Sequence, residues 1–248
     1  MKFRMIPFRY FDAFMNMALD EAIMEAVRNG ESLPTIRFYG WAPSAVSIGF
    51  FQGIRNEVNL DVTRQAGVDV IRRQTGGGAV YHDQFGEVTY SIIGPVENFS
   101  VNIIKSYEDI CESIVFALNQ LGLNAHFEPV NDILLNDQKI SGNAQTRRQG
   151  ILLQHGTILY SVEVEKMFSY LNVSEQKISD KLIKSVKKRV TSISDQLDIS
   201  MEDLQLALEK GFSVGREIEM GDYTEKELTR AAQLAEEKYK SEAWNFRL

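Results

Sequence analysis

The chain has 248 residues, 44% of them hydrophobic and 25% charged, with 27 Lys and Arg against 34 Asp and Glu for a net charge of −7. That balance describes an ordinary globular protein with apolar residues enough for a core, and it excludes nonspecific nucleic-acid or membrane-surface binding as the main role. One cysteine forms no intramolecular disulfide, and there is neither a signal-peptide pattern nor an apolar run of bilayer length, so a cytoplasmic location is expected.

In chain order, Asn16 is placed to cap a helix from Met17 to about Arg28. Leu19, Ile23, Ala26 and Val27 share its apolar face, and Gly30 follows as a stop. Residues 36–39 and 45–50 read as two strands of a hairpin, joined by the turn Trp41-Ala42-Pro43-Ser44. A short helix is expected over 61–65 and an apolar strand over 68–71. The stretch Arg72-Arg73-Gln74-Thr75-Gly76-Gly77-Gly78-Ala79-Val80-Tyr81-His82-Asp83 comes next. Glycine allows positive φ and close approach of a ligand to the main chain, and successive N–H groups in such a loop can hold an anion. Arginine on one flank adds a permanent charge and a planar donor fork. The simpler reading is a tight turn.

Residues 87–93 alternate Val88, Tyr90 and Ile92 with Thr89 and Ser91, the pattern of a half-buried strand. Ser106 and Asp109 mark a helix start, with Tyr107, Ile110, Cys111, Ile114, Leu118 and Leu121 on one face and Gly122 as the stop. Cys111 is therefore a core filler. Residues 131–160 read as a three-strand meander turning at Asn136-Asp137 and at 147–150. Alternation over 139–144 puts Lys139, Ser141 and Asn143 on one face, with Ile140 and Ala144 on the other. A lysine facing inward needs an anionic partner; a surface lysine is the plain alternative. Helix starts are expected at Ser174, at Ser200 with Asp203, and at Thr224 with Glu227. Strand pairs interrupted by helices, without regular βαβ alternation, predict an α+β fold with mixed or antiparallel sheets flanked by helices.

The combination of Arg72-Arg73, Thr75-Gly76-Gly77-Gly78-Ala79-Val80-Tyr81-His82-Asp83, Asn131-Asp132-Ile133, Lys139-Ile140-Ser141-Gly142-Asn143-Ala144 and His155-Gly156-Thr157 resembles the lipoate–protein ligase family. That family shares the biotin/lipoate ligase fold with octanoyltransferases. The resemblance runs from Asn16 to Asn245 and implies one catalytic domain over 1–248, without the C-terminal accessory domain of long ligases. It implies an ATP-dependent enzyme: lipoate attacks the α-phosphate of ATP with Mg²⁺ present, and the resulting lipoyl-AMP acylates a lysine of a lipoyl-domain protein. The acceptors are 2-oxoacid dehydrogenase E2 subunits or the glycine cleavage H protein. A separate accessory subunit is expected to be needed for activation.

By matching positions, the resemblance assigns ATP or adenylate to Arg73, Gly76, Gly77, Gly78, Ala79, Val80, Asn131, Asp132 and Lys139. It assigns lipoate to Arg72, His82, Lys139, Gly142, Ala144 and His155, with Lys139 as the catalytic group; no carboxylate cluster identifies metal ligands. Phe38, Tyr39, Ile48 and Phe50 are candidates for the acyl wall. Basic residues at Arg147-Arg148 and over 181–189 are candidates for meeting an acidic lipoyl domain.

Two other readings accompany this one. The run Ala144-Gln145-Thr146-Arg147, followed by Gly150 to Gly156, looks closer to the octanoyltransferase branch, whose enzymes form a thioester on a cysteine and use no ATP. In those relatives the cysteine lies where this chain has residues 126–131, and none is there. The other is a noncatalytic lipoate-binding module, against which the retention of Lys139 counts. A biotin ligase is disfavoured, because its loop is studded with arginine.

Overall fold

The computed structural model describes residues 2–172 and 188–248. The helix start expected at Ser174 and most of the basic run over 181–189 lie outside them. Two sheets organise the chain. An eight-stranded sheet runs in the order β11-β1-β2-β6-β10-β9-β8-β7, and a three-stranded sheet in the order β4-β3-β5. The strands are β1 (Lys2–Phe11), β2 (Thr35–Trp41), β3 (Ala45–Ile48), β4 (Asp69–Arg72), β5 (Val80–His82), β6 (Glu87–Pro95), β7 (Ala125–Glu128), β8 (Asp132–Leu135), β9 (Gln138–Arg148), β10 (Ile151–Leu159) and β11 (Glu217–Met220). β1 pairs in parallel with both β2 and β11, whereas β2, β6, β10, β9, β8 and β7 are joined by antiparallel pairs. The expected α+β class with mixed sheets is what the chain forms.

Two layers of helix cover the large sheet. Helix α1 (Ala13–Arg28) packs on β6, β10 and the helix Glu225–Leu234, and Leu19, Ile23, Tyr39, Ile93 and Leu153 lie in that core. On the opposite face the helices Ile103–Gln120 and Met201–Ser213 pack together, and Val88, Tyr90, Ile92, Ile110, Ile114 and Leu208 close the larger core. Cys111 is wholly buried there, as its helical position implies. The helix starts expected at Ser200 with Asp203 and at Thr224 with Glu227 both form, each closed by a capping box.

Four local readings are corrected by tertiary context. Helix α1 begins earlier than expected, with Asp12 accepting from the Met15 N–H at 2.7 Å. Asn16 is instead a buried tie, donating to the carbonyls of Phe11 and Gly40. The helix starting near Ser106 is likewise capped further upstream, by Asn102. β2 and β3 do not pair as a hairpin: β2 already has β1 and β6 on its two edges, so residues 42–44 carry the chain into the second sheet. β6 is buried on both faces, because Glu87, Thr89 and Ser91 point into an enclosed polar layer rather than into solvent. Buried polar side chains of this kind must find partners. They do, and those partners build the site.

Candidate functional site

Between the two sheets lies a cavity of about 390 Å³, within the range usual for small-molecule sites. Ser47 of β3, Tyr81 and His82 of β5, and Glu87 and Thr89 of β6 line one part of it. The loop residues Gly77, Gly78 and Ala79 line another. Lys139, Ser141, Gly142, Asn143, Ala144 and His155 come from β9 and β10, and Val164 and Met167 come from the helix Val164–Tyr170. Met17, Leu159, Val162 and Met167 supply an apolar part of the wall.

The glycine loop is organised around Arg73. The Arg73 guanidinium is buried and donates through Nε to Thr75 Oγ1, through Nη1 to Ser47 O and Oγ, and through Nη2 to the carbonyls of Gly76 and Gly78 at 2.8 Å each. All the N–H donors of a guanidinium are thereby engaged. Burial lowers the Arg73 pKa to about 10, so the group keeps its charge at neutral pH. Gly77 adopts φ of 97°, and a Cβ built on Gly49 would lie 2.0 Å from the Gly77 carbonyl oxygen. Two strands of backbone meet there without room for a side chain.

Lys139 reaches Asp132, with Nζ 2.7 Å from Oδ1. An extra residue in β9 sets it in place: Ile133 faces Ser141 and Leu134 faces Lys139, leaving Ile140 unmatched. This bulge breaks the strict alternation expected over 139–144, and Lys139, Ser141, Gly142, Asn143 and Ala144 all line the same cavity. A Cβ on Gly142 would lie 2.9 Å from Lys139 Cε, so the missing side chain is what lets the lysine fold over the strand.

Two histidines face the cavity, each held between a hydroxyl and a carboxylate. His82 has Nε2 2.8 Å from Ser47 Oγ and Nδ1 2.7 Å from Glu87 Oε1. His155 has Nε2 2.7 Å from Thr75 Oγ1 and Nδ1 3.2 Å from Asp20 Oδ2. A carboxylate only accepts, so in both rings Nδ1 carries the proton and Nε2 accepts from the hydroxyl. Trp41 stacks on the His82 ring at 4.0 Å, and its indole donates to Thr89, whose hydroxyl donates to Glu87.

Burial lowers the pKa of His155 below its ordinary value of 6.5, despite the opposing pull of Asp20. The folded chain thus favours neutral imidazole, and the unfolded chain takes up the proton first on acidification. Stability should fall as pH drops through about 6.5 and on through the lower folded value. Melting temperatures measured across that window should show a His155→Gln variant losing part of this pH dependence.

The structure does not bring every expected residue to the cavity. Arg72 is fully buried elsewhere and donates to the carbonyls of Gly49, Phe50, Gln52, Trp244 and Asn245. It fastens the C-terminal helix Glu242–Asn245 to β4, which corrects its placement beside lipoate. Gly76 turns its carbonyl to Arg73 and Asp132 pairs with Lys139; neither lines the cavity. Gly77, Gly78, Ala79, Val80, Asn131, Lys139, Gly142, Ala144, His82 and His155 do. Of the candidates for the acyl wall only Tyr39 lines it; Phe38 and Ile48 are core residues, and Phe50 lies under Arg148 and Arg247.

Ser47, Glu87 and Thr89 were not expected. A serine amid an apolar run and a carboxylate opening a buried strand were the only signals, and both are quiet ones. Among the described residues no group of three His, Cys, Asp or Glu side chains converges to hold a metal ion, and no helix is long and apolar enough to cross a membrane.

The single cysteine is far from thiolate chemistry. Burial raises the Cys111 pKa to about 12, and a reactive thiol needs the opposite shift and exposure. Iodoacetamide should therefore leave Cys111 unmodified in the folded protein and alkylate it only after unfolding, as read by mass spectrometry.

Comparison with known proteins gives this geometry a family. The Lipoyl protein ligase A/B catalytic domain model matches residues 12–213. Octanoyltransferase LipM of Clostridioides difficile is 35% identical over 98% of this chain and 98% of its own length. Octanoyltransferase LipM of Halalkalibacterium halodurans is 32% identical over 95% of each. The structure of a bipartite lipoate protein ligase and its E2 lipoyl domain from Thermoplasma acidophilum superimposes with a TM-score of 0.89 at 33% identity, covering 99% of this chain and 96% of that one.

The octanoyltransferase relatives, aligned nearly end to end, overturn the ATP-dependent ligase expected from the motifs. The expected ATP and Mg²⁺ belong to that reaction and fall with it. What the motifs, the fold and the relatives share is an enzyme of lipoate metabolism, and the chain belongs to the lipoyl protein ligase A/B catalytic-domain family.

Proposed function

We propose that this chain moves an octanoyl group from an acyl thioester to a lysine amine of a lipoyl-domain protein, without ATP. The observation that carries the reading is one cavity in which an apolar wall and the Lys139 ammonium line the same space. An acyl chain gains roughly 0.8 kcal/mol for each methylene it buries against such a wall. Lys139, held by Asp132, aims positive charge at the acyl carbonyl, where negative charge develops under nucleophilic attack.

In the same reading Gly77, Gly78, Ala79 and Val80 let the acyl donor approach the backbone closely, and Asn131, Gly142 and Ala144 shape the floor beneath Lys139. His82 and His155 present their rings to the same cavity. The acceptor is an E2 or H-protein lipoyl domain, as the E2 lipoyl domain studied with the Thermoplasma relative suggests. A separate accessory subunit was expected only for adenylation, and thioester transfer has no such step to support.

The test uses octanoyl carrier protein, an unmodified lipoyl domain and no nucleotide, with the product read by intact mass. Octanoylation of the lipoyl-domain lysine is expected. Failure of every thioester donor, together with transfer from free octanoate that depends on ATP, would overturn the reading.

A further inference from the structure

The proposed transfer poses a chemical question, since acyl transfer through an enzyme intermediate needs a nucleophile and the cysteine is buried in the core beyond the cavity. The cavity does hold a hydroxyl in the arrangement that nucleophilic catalysis requires. Ser47 Oγ lies 2.8 Å from His82 Nε2, and His82 Nδ1 lies 2.7 Å from Glu87 Oε1. Both distances are within hydrogen-bond reach, with the base oriented by a third group. All three residues line the cavity although each is nearly inaccessible to bulk water.

The array is braced as a working base would need to be. Trp41 stacks on the imidazole, and the Thr89 hydroxyl donates to the same Glu87 oxygen that receives Nδ1–H. Arg73 Nη1 donates to Ser47 Oγ at 3.1 Å, placing a positive charge against the oxygen that becomes an alkoxide. The parallel array of Thr75, His155 and Asp20 lacks one property: Thr75 does not line the cavity, so its hydroxyl has no access to an acyl group.

Resting on the octanoyl-transfer reading, we propose that Ser47 is the acyl-accepting nucleophile, with His82 its base and Glu87 the positioning residue for His82. In the first half-reaction Ser47 Oγ bonds to the thioester carbonyl carbon as the C–S bond breaks. The serine proton passes to His82 Nε2 and then to the departing thiolate, which leaves as a thiol. In the second, the acceptor lysine nitrogen bonds to the same carbon as the C–Oγ bond breaks. One amine proton passes to His82 Nε2 and returns to Ser47 Oγ. Thioester and amine become thiol and amide, with no further reactant.

The test mixes the purified full-length chain with octanoyl-pantetheine and omits the acceptor. Rapid acid quench and peptide mapping should find one octanoyl group on the peptide bearing Ser47, as an ester that resists neutral hydroxylamine longer than a thioester does. With a lipoyl domain added, initial-rate plots should be parallel, the sign of a ping-pong sequence.

Ser47→Ala should lose the adduct and fall by about 10³-fold or more in kcat/KM. Ser47→Cys should restore an adduct that neutral hydroxylamine removes quickly, and Glu87→Gln should lower kcat with little change in KM. A Ser47→Ala variant that transfers at the wild-type rate overturns the assignment and leaves octanoyl transfer standing. Intersecting rate plots without any adduct do the same. A wild-type chain that accepts acyl groups from no thioester overturns both.

Discussion

Lys139→Ala is expected to reduce octanoyl transfer to a lipoyl domain by roughly 10²- to 10³-fold, the usual cost of removing one positioned donor at a developing oxyanion. The folded state should hardly notice. Lys139 and Asp132 are both partly exposed, with 41% and 31% of their side-chain surfaces accessible, and exposed pairs contribute about 0–1 kcal/mol. The loss should fall on kcat more than on KM, since the apolar wall is untouched and continues to hold the acyl chain. Lys139→Arg should recover only part of the rate, because a planar fork replaces a compact ammonium in a space that Gly142 opens for lysine. Asp132→Asn should show a smaller decrease with the same kcat signature. Steady-state kinetics with octanoyl carrier protein, paired with melting curves, checks all three. Equal activity for Lys139→Ala and the parent chain would remove the lysine from the proposed mechanism.

The second large effect concerns stability. Arg37 is fully buried beneath helix α1, where Asp20 lies 3.4 Å from Nη1 and Asn16 accepts from Nη2 at 2.8 Å. The guanidinium also lies over the Tyr39 ring at 3.9 Å, and its Nε has no hydrogen-bond partner among the described residues. Asp20 holds more than Arg37, since its carboxylate also accepts from Ser91 and His155. Asp20→Ala leaves a buried cation without its counter-charge, a change that costs about 3–5 kcal/mol. Against a total stability of about 5–15 kcal/mol, that is enough to bring the chain close to unfolding at growth temperature. Replacing both partners by apolar residues, Asp20→Leu with Arg37→Met, should be much less damaging than Asp20→Ala alone. Urea titration of the three variants provides the measurement. A loss below about 1 kcal/mol for Asp20→Ala would show that Asn16 and Tyr39 suffice for Arg37.

Asp20 also shows why so much of the site was hidden in the sequence. On helix α1 it reads as one more acid in an acidic chain, and nothing local distinguishes it from the neighbouring Glu21. Only the packing of the helix across β6 and β10 brings it to Arg37, Ser91 and His155. Ser47 is hidden in the same way, within a strand whose neighbours are apolar.

Arg72 and Arg73 stand side by side in the sequence and invite one interpretation. The strand sends them apart, Arg73 into the cavity wall and Arg72 to the carbonyls beside the C-terminal helix. An arginine pair announces charge, but what receives that charge depends on chain segments from far away.

By itself the sequence determined the α+β class, the meander with its lysine strand, the burial of Cys111 and the family, because these rest on local periodicity and on motifs of fixed spacing. The tertiary structure alone decided that the glycine loop turns the Gly76 and Gly78 carbonyls onto Arg73. It also decided that Ser47, His82 and Glu87 meet, since they stand on three strands in two sheets and no spacing along the chain encodes how those sheets pack.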